Sequence, residues 1–275
     1  MRKILVGLSI IFVLFLAACG SSEDSNQKDN EITVGASSEP HAEILEEAQP
    51  ILEEKGITLN IEQYQDFVLP NDDLENGTLD ANYYQHIPYL EQTVEDTGYD
   101  LDYIDGIHIE PMGVYSKDIK SIDDIPEGTE VILSNSVADH GRILALFEQE
   151  GLIELDDSIE KMDATLDDIT ENPKNLQFSP DYEPALLPEF YESEDNVLVA
   201  INTNYAIGAE LNPIEDALFI EGEESPYVNV LAVRSEDMED EALNTLVDVL
   251  QSEEMQEFMI EEYSGAVVPV SGSAE

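Results

Sequence analysis

The 275-residue chain has one cysteine, no tryptophan, four histidines, and only 10 Lys+Arg against 63 Asp+Glu. With a single thiol, Cys19, no disulfide can form within the chain. The histidines (His41, His86, His108 and His140) show no His-Glu-x-x-His spacing. A metal site would therefore have to be assembled from residues distant in sequence, and none is expected. There is no Gly-x-Ser-x-Gly elbow, Ser264-Gly265 lies outside any such pattern, and no phosphate loop is present, so neither catalysis nor a cofactor is expected. The shortage of cations excludes nucleic acid as a partner, because phosphate contacts dominate that affinity and scattered cations build no basic patch. The same negative field repels anionic lipid.

The N-terminus has its own logic. Met1-Arg2-Lys3 is a positive n-region, Ile4 to Ala18 is a largely apolar run, and Cys19 follows. Fifteen residues fall short of the roughly 20 that span a bilayer, so the pattern is that of a secretory signal. Leu16-Ala17-Ala18-Cys19 resembles the lipobox of bacterial lipoproteins, which implies cleavage after Ala18 and a lipid on Cys19. Residues 20–30 (GSSEDSNQKDN) have the composition of a flexible tether. Without Arg2 and Lys3, 8 cations face 63 acids, a balance of −55. A 42% apolar fraction still predicts a packed core, which puts the acid on the surface as an adaptation to salt or alkaline surroundings.

Periodicity predicts an alternating α/β chain. Strands are expected at 32–37, 58–64 and 78–84, helices at 40–55, 71–76 and 88–97, and two extended pieces around Gly106 within 101–115. The pattern restarts with a strand at 130–134 and a helix at 138–149. A short helix at 165–170, a strand at 176–179, a helix at 183–191 and a strand at 197–201 follow. Extended pieces at 219–222 and 226–233 and helices at 240–251 and 253–263 end the chain. Such alternation implies parallel or mixed sheets in two units with a cleft between them.

The stretch GTLDANYYQHIPYL (77–90) compresses a strand, an aromatic pair and a helix start, placing Gln85 and His86 on a turn outside a strand end, where open sheets bind ligands. Packing of the aromatics in the core is the alternative. Beyond the signal only Arg142 and Arg234 remain. Arg142 is expected on the first turn of a helix, where a guanidinium and helix N–H groups hold carboxylates, or else in an ordinary ion pair. Arg234, before Ser235-Glu236-Asp237, reads as a surface charge partner. Asn202, Asn204 and Asn229 offer donors and acceptors suited to a zwitterion, or to turns.

PHAEIL (40–45), LDANYYQHIPYL (79–90), NPKNLQF (172–178), AINTNYAIGAEL (200–211) and SPYVN (225–229) together resemble the NlpA-type methionine-binding lipoproteins, in the right order from about Glu31 to Val270. The resemblance implies a two-lobed, type II periplasmic-binding-protein fold with a ligand cleft between the lobes. It also implies a non-enzymatic receptor that delivers L-methionine to an ABC importer permease from the outer face of the membrane. Its aromatic thioether pocket falls on Phe67, Tyr84 and Tyr89, with His86 beside it. The carboxylate-binding arginine falls on Arg142, and the polar head groups on Asn202, Asn229 and Asn204. Phe67 stands where the family usually has Tyr. Ser134-Asn135-Ser136-Val137-Ala138-Asp139 departs from the family's Pro-Asn-Asp-x-x-Asn, which brings Asp139 into the expected site. The expected division is signal 1–18, anchor and tether 19–30, lobe 1 from 31–115 plus 227–275, and lobe 2 from 116–226. Receptors for another amino acid, for a methionine-containing dipeptide or for a metal, and then an extracellular hydrolase, are the alternative readings.

Overall fold

The computed structural model describes residues 30–222 and 225–270, so the signal, Cys19 and nearly all of the tether lie outside the described residues. Among the described residues, no helix is long and apolar enough to cross a membrane.

The first sheet starts with β1 (Glu31–Ser37), β2 (Thr58–Tyr64), β3 (Ala81–His86) and β4 (Leu101–Ile109). β1 pairs in parallel with both β2 and β3, which the helices between the strands allow. The first crossover helix, α1 (Glu43–Glu54), buries Ile44, Leu45, Ala48 and Leu52 at helical spacing. The next, α2 (Leu69–Glu75), leads into β3, and α3 (Ile87–Thr97) leads out of it. Gly98, at φ 75°, ends α3 in the left-handed conformation that glycine adopts without a Cβ penalty.

The chain then crosses to a second sheet. β5 (Gly113–Tyr115) belongs there, followed by β6 (Glu130–Ser134), α4 (Val137–Gln149), a hairpin-like pair β7 (Glu154–Leu155) and β8 (Ile169–Glu171), and β9 (Gln177–Tyr182). After α5 (Leu187–Ser193) come β10 (Leu198–Ile201), α6 (Thr203–Gly208), α7 (Pro213–Asp216) and β11 (Phe219–Ile220), giving the order β11-β5-β10-β6-β9. The chain returns through β12 (Val228–Arg234), which lies antiparallel between β3 and β4. It ends with α8 (Glu241–Leu250), α9 (Glu253–Glu262) and a short edge strand, β13 (Val268–Pro269), beside β4. Each sheet has its own core: Ile32, Val34, Leu45 and Leu246 belong to the first, Leu133, Ile143, Phe147 and Leu198 to the second.

Three expectations need correction. β5 was grouped with the first lobe, but it pairs with β10 and β11, so the first sheet ends at Ile109 before the crossing. Gly106 does not split its segment, because β4 runs through it and a bulge against β12 absorbs the irregularity. The expected short helix at 165–170 is a single 3-10 turn, Leu166–Asp168, followed by β8, since Asp168 folds back in a capping box with Thr165.

Candidate functional site

β3 is buried over its whole length, so Gln85 and His86 belong to the strand and not to a turn beyond it. The Gln85 amide is used internally, bonding Asn71 at 2.7 Å and Asn82 at 2.8 Å. His86 caps α3: its Nδ1 accepts from the Tyr89 N–H at 3.2 Å. With Nδ1 an acceptor, the ring proton sits on Nε2, which donates to Asp139 Oδ1 at 3.1 Å across the cleft.

Asp139 occupies the first turn of α4, and its Oδ2 accepts from Asn202 Nδ2 at 3.2 Å. Burial pushes its carboxyl upward, but the His86 hydrogen bond, the Arg142 guanidinium and the Asn202 amide outweigh this and hold it well below the usual range. Because α4 begins at Val137, Arg142 lies in the second turn, not the first, and the helix N-terminus serves the acid instead. Arg142 Nη1 is 3.6 Å from Asp139 Oδ1. Its Nη2 donates to the Glu110 carbonyl at 3.0 Å and to Glu221 Oε2, and the guanidinium lies 4.4 Å over the Tyr227 ring. Arg142 Nε and Asn202 Oδ1 are buried without a hydrogen-bond partner among the described residues.

At the opposite end are rings. Tyr84 and Tyr89 both donate their hydroxyls to the Phe67 carbonyl, at 2.8 and 3.0 Å, which pins the loop carrying Phe67. The Phe67 ring stands 5.9 Å from Tyr84, 6.0 Å from Tyr89 and 5.1 Å from Tyr205, the last on the other side of the cleft. Tyr205 Oη also donates to the Gln65 carbonyl at 3.2 Å, so the two lobes touch over the rings as well as at His86–Asp139.

The nine expected residues (Phe67, Tyr84, His86, Tyr89, Asp139, Arg142, Asn202, Asn204 and Asn229) line one cavity. Glu110 and Met112 also line it, and Glu221 and Tyr227 hold Arg142; none of these was anticipated. Glu110 follows the alternating run Ile107-His108-Ile109, a position that marks a strand end, but one acid among 63 carries no signal of its own. Its carboxylate meets His41 and His108, both fully buried. Burial lowers His41 to about 4, only partly offset by Glu110, and lowers His108 to about 3, so both rings are neutral at pH 7. Burial raises Glu110 despite His41 and Arg142. Arg234 makes the expected ion pair with Asp237, at 2.6 Å, and is only partly exposed, because it also donates to the carbonyls of Leu74 at 2.8 Å and Leu79 at 2.6 Å.

This cleft, with aromatic rings at one end and charges at the other, agrees with what sequence comparison finds. Residues 32–271 match the NlpA lipoprotein family. The chain belongs to that family. It is 45% identical over 274 residues to the methionine-binding lipoprotein MetQ of Bacillus subtilis, covering 98% of this chain and 100% of that one. The crystal structure of a putative methionine-binding lipoprotein from Bacillus subtilis matches with a TM-score of 0.87 at 45% identity, over 89% of this chain and 100% of the other. A nutrient-binding protein from Burkholderia cenocepacia, solved bound to methionine, matches at 36% identity with a TM-score of 0.81, over 86% and 99% of the two chains. The fold is accordingly the two-lobed periplasmic-binding one, with its ligand cleft between the lobes. Membership in a lipoprotein family makes this an extracytoplasmic, membrane-anchored protein.

Proposed function

We propose that this NlpA-family chain is the L-methionine receptor of an ABC importer. In this reading Cys19 carries the lipid that holds it at the outer face of the cell membrane, and the loaded receptor delivers its ligand to the permease without chemical change. The lobes are residues 31–109 plus 228–270 and residues 113–220. One observation carries the reading: Arg142 Nε, a buried donor, and Asn202 Oδ1, a buried acceptor, lack partners among the described residues and belong to side chains that line the same cavity as Phe67, Tyr84 and Tyr89. An α-amino acid supplies both missing partners through its carboxylate and ammonium, and an unbranched thioether fills an aromatic end well. Asp139, ionised and fixed by His86 and Asn202, adds a charged acceptor for the ammonium.

A groove that shares Phe67 and Tyr89 with the cavity favours, as a second reading, an amino acid with a longer side chain. Mass spectrometry of the ligand released from purified protein separates the two. Intact methionine is expected. A longer amino acid selects the second reading, and release of no amino acid, or of a cleaved product, rejects both.

A further inference from the structure

His41, in the turn before α1, His108, within β4, and Glu110, just after it, bring their ligating atoms together beside the cavity. Glu110 Oε1 lies 2.9 Å from His108 Nε2 and 3.2 Å from His41 Nε2. Two donors bound to one ion at about 2.0–2.2 Å stand roughly 2.9 Å apart at a right angle and roughly 3.4 Å apart at the tetrahedral angle. Both observed separations fall in that interval. Asn229 Oδ1, 3.3 Å from His41 Nε2, adds an oxygen to the same point. Both rings are also held from behind, His41 Nδ1 by Ser37 Oγ at 2.7 Å and His108 Nδ1 by Tyr83 Oη at 2.5 Å. Such outer partners orient metal-binding imidazoles.

Hydrogen positions sharpen the point. Ser37 Oγ has one hydrogen, and it is donated to the Glu39 carbonyl at 3.1 Å. Towards His41 the hydroxyl therefore accepts, which puts the ring proton on Nδ1. The neutral ring then turns the bare lone pair of Nε2 towards the Glu110 carboxylate and the Asn229 carbonyl oxygen. Three acceptors then face one another in a place where His41 and Glu110 are 1% and 8% exposed, and buried polar groups need partners, so either a proton on Glu110 or a cation lies between them; the spacing of the ligating atoms points to the cation.

We propose that His41, His108 and Glu110, with Asn229 Oδ1 as a fourth donor, form a buried site for one divalent transition-metal ion of the kind that prefers imidazole and carboxylate, such as Zn²⁺ or Co²⁺. Glu110 and Asn229 also line the ligand cavity, so the ion sits beside the amino-acid site. The site does not depend on the methionine reading.

The test is a Co²⁺ titration of metal-stripped, ligand-free protein in high salt with excess Ca²⁺, which occupies surface carboxylates but not imidazoles. One equivalent should bind with a visible d–d band that Zn²⁺ abolishes. Tyr83→Phe, which keeps the ring and removes only the outer partner, should weaken cobalt binding about 10–100-fold, and His108→Gln should remove the band. Circular dichroism of each variant separates lost ligation from lost folding. A wild-type protein without a saturable one-equivalent band overturns the proposal, and so does a band unchanged in both folded variants. Failure of L-methionine to bind would leave a positive cobalt result standing, so the two readings fail separately.

Discussion

Asp139→Asn alters little shape and much chemistry. The two carboxylate oxygens each accept one bond, from His86 Nε2 at 3.1 Å and Asn202 Nδ2 at 3.2 Å. An asparagine keeps one acceptor and turns an NH₂ towards the other donor, leaving a buried group unpaired at about 1–3 kcal/mol. In a chain of this size 1 kcal/mol corresponds to about 2–4 °C, so Tm should fall by roughly 2–12 °C. The effect on binding is separable. A hydrogen bond from a ligand ammonium to an ionised carboxylate contributes about 1.5–3 kcal/mol, and its loss weakens L-methionine by roughly 10- to 150-fold. The carboxyl is held below its ordinary 3.8, so its charge is fully present at pH 7 and is lost only as pH falls through and below that value. With no tryptophan to report, calorimetry is the assay. Four titrations, wild type and Asp139→Asn each with L-methionine and with its amine-free analogue 4-(methylthio)butanoate, form a cycle. The analogue should lose much less affinity than L-methionine on the variant. Equal losses for both ligands would refute the contact with the ammonium, and tighter binding of both would mean that Asp139 instead neutralises Arg142.

Gly141→Ala should lower stability by about 1–3 kcal/mol and weaken L-methionine, because a Cβ there collides with the main-chain oxygens of Lys161 and Met162 and displaces the neighbouring Arg142; an unchanged melting curve would contradict that packing. Thermal stability should rise with NaCl, since a formal −53 repels itself and the screening length shrinks from about 10 Å at 0.1 M to about 3 Å at 1 M; a flat or falling Tm would show that charge repulsion is not limiting. Cys19→Ser should move the protein from the membrane to the soluble fraction, and retention on membranes would refute the lipid anchor.

The alternation of strands and helices was legible because its period depends on neighbouring residues: β2 and β6 match their expected bounds, and α3 starts where Pro88 tolerates a missing N–H. What local pattern could not place was partnership. The triplet Gly113–Tyr115 looks like a continuation of β4, and only its pairing with β10, more than eighty residues later, assigns it to the second sheet. The nine cavity residues were legible through family resemblance more than through chemistry, since a buried Asn and a turn Asn look alike in sequence. Glu110 and Glu221 were hidden among 63 acids, and their meeting with His41 and Arg142 depends on tertiary contacts alone. Arg234 was half legible: its pair with Asp237 follows from sequence neighbours, while the main-chain carbonyls that also hold it come from residues about 155 positions earlier.

The central claim is that Arg142 holds the carboxylate of an L-amino acid inside the closed cleft. Calorimetric titration of L-methionine into wild type and Arg142→Ala tests it most directly. Wild type should bind one equivalent saturably. Removing the guanidinium from a desolvated pair costs on the order of 2–5 kcal/mol, so the variant should bind about 30-fold to several thousand-fold more weakly. No binding by wild type, or equal affinity in the two proteins, would contradict the account.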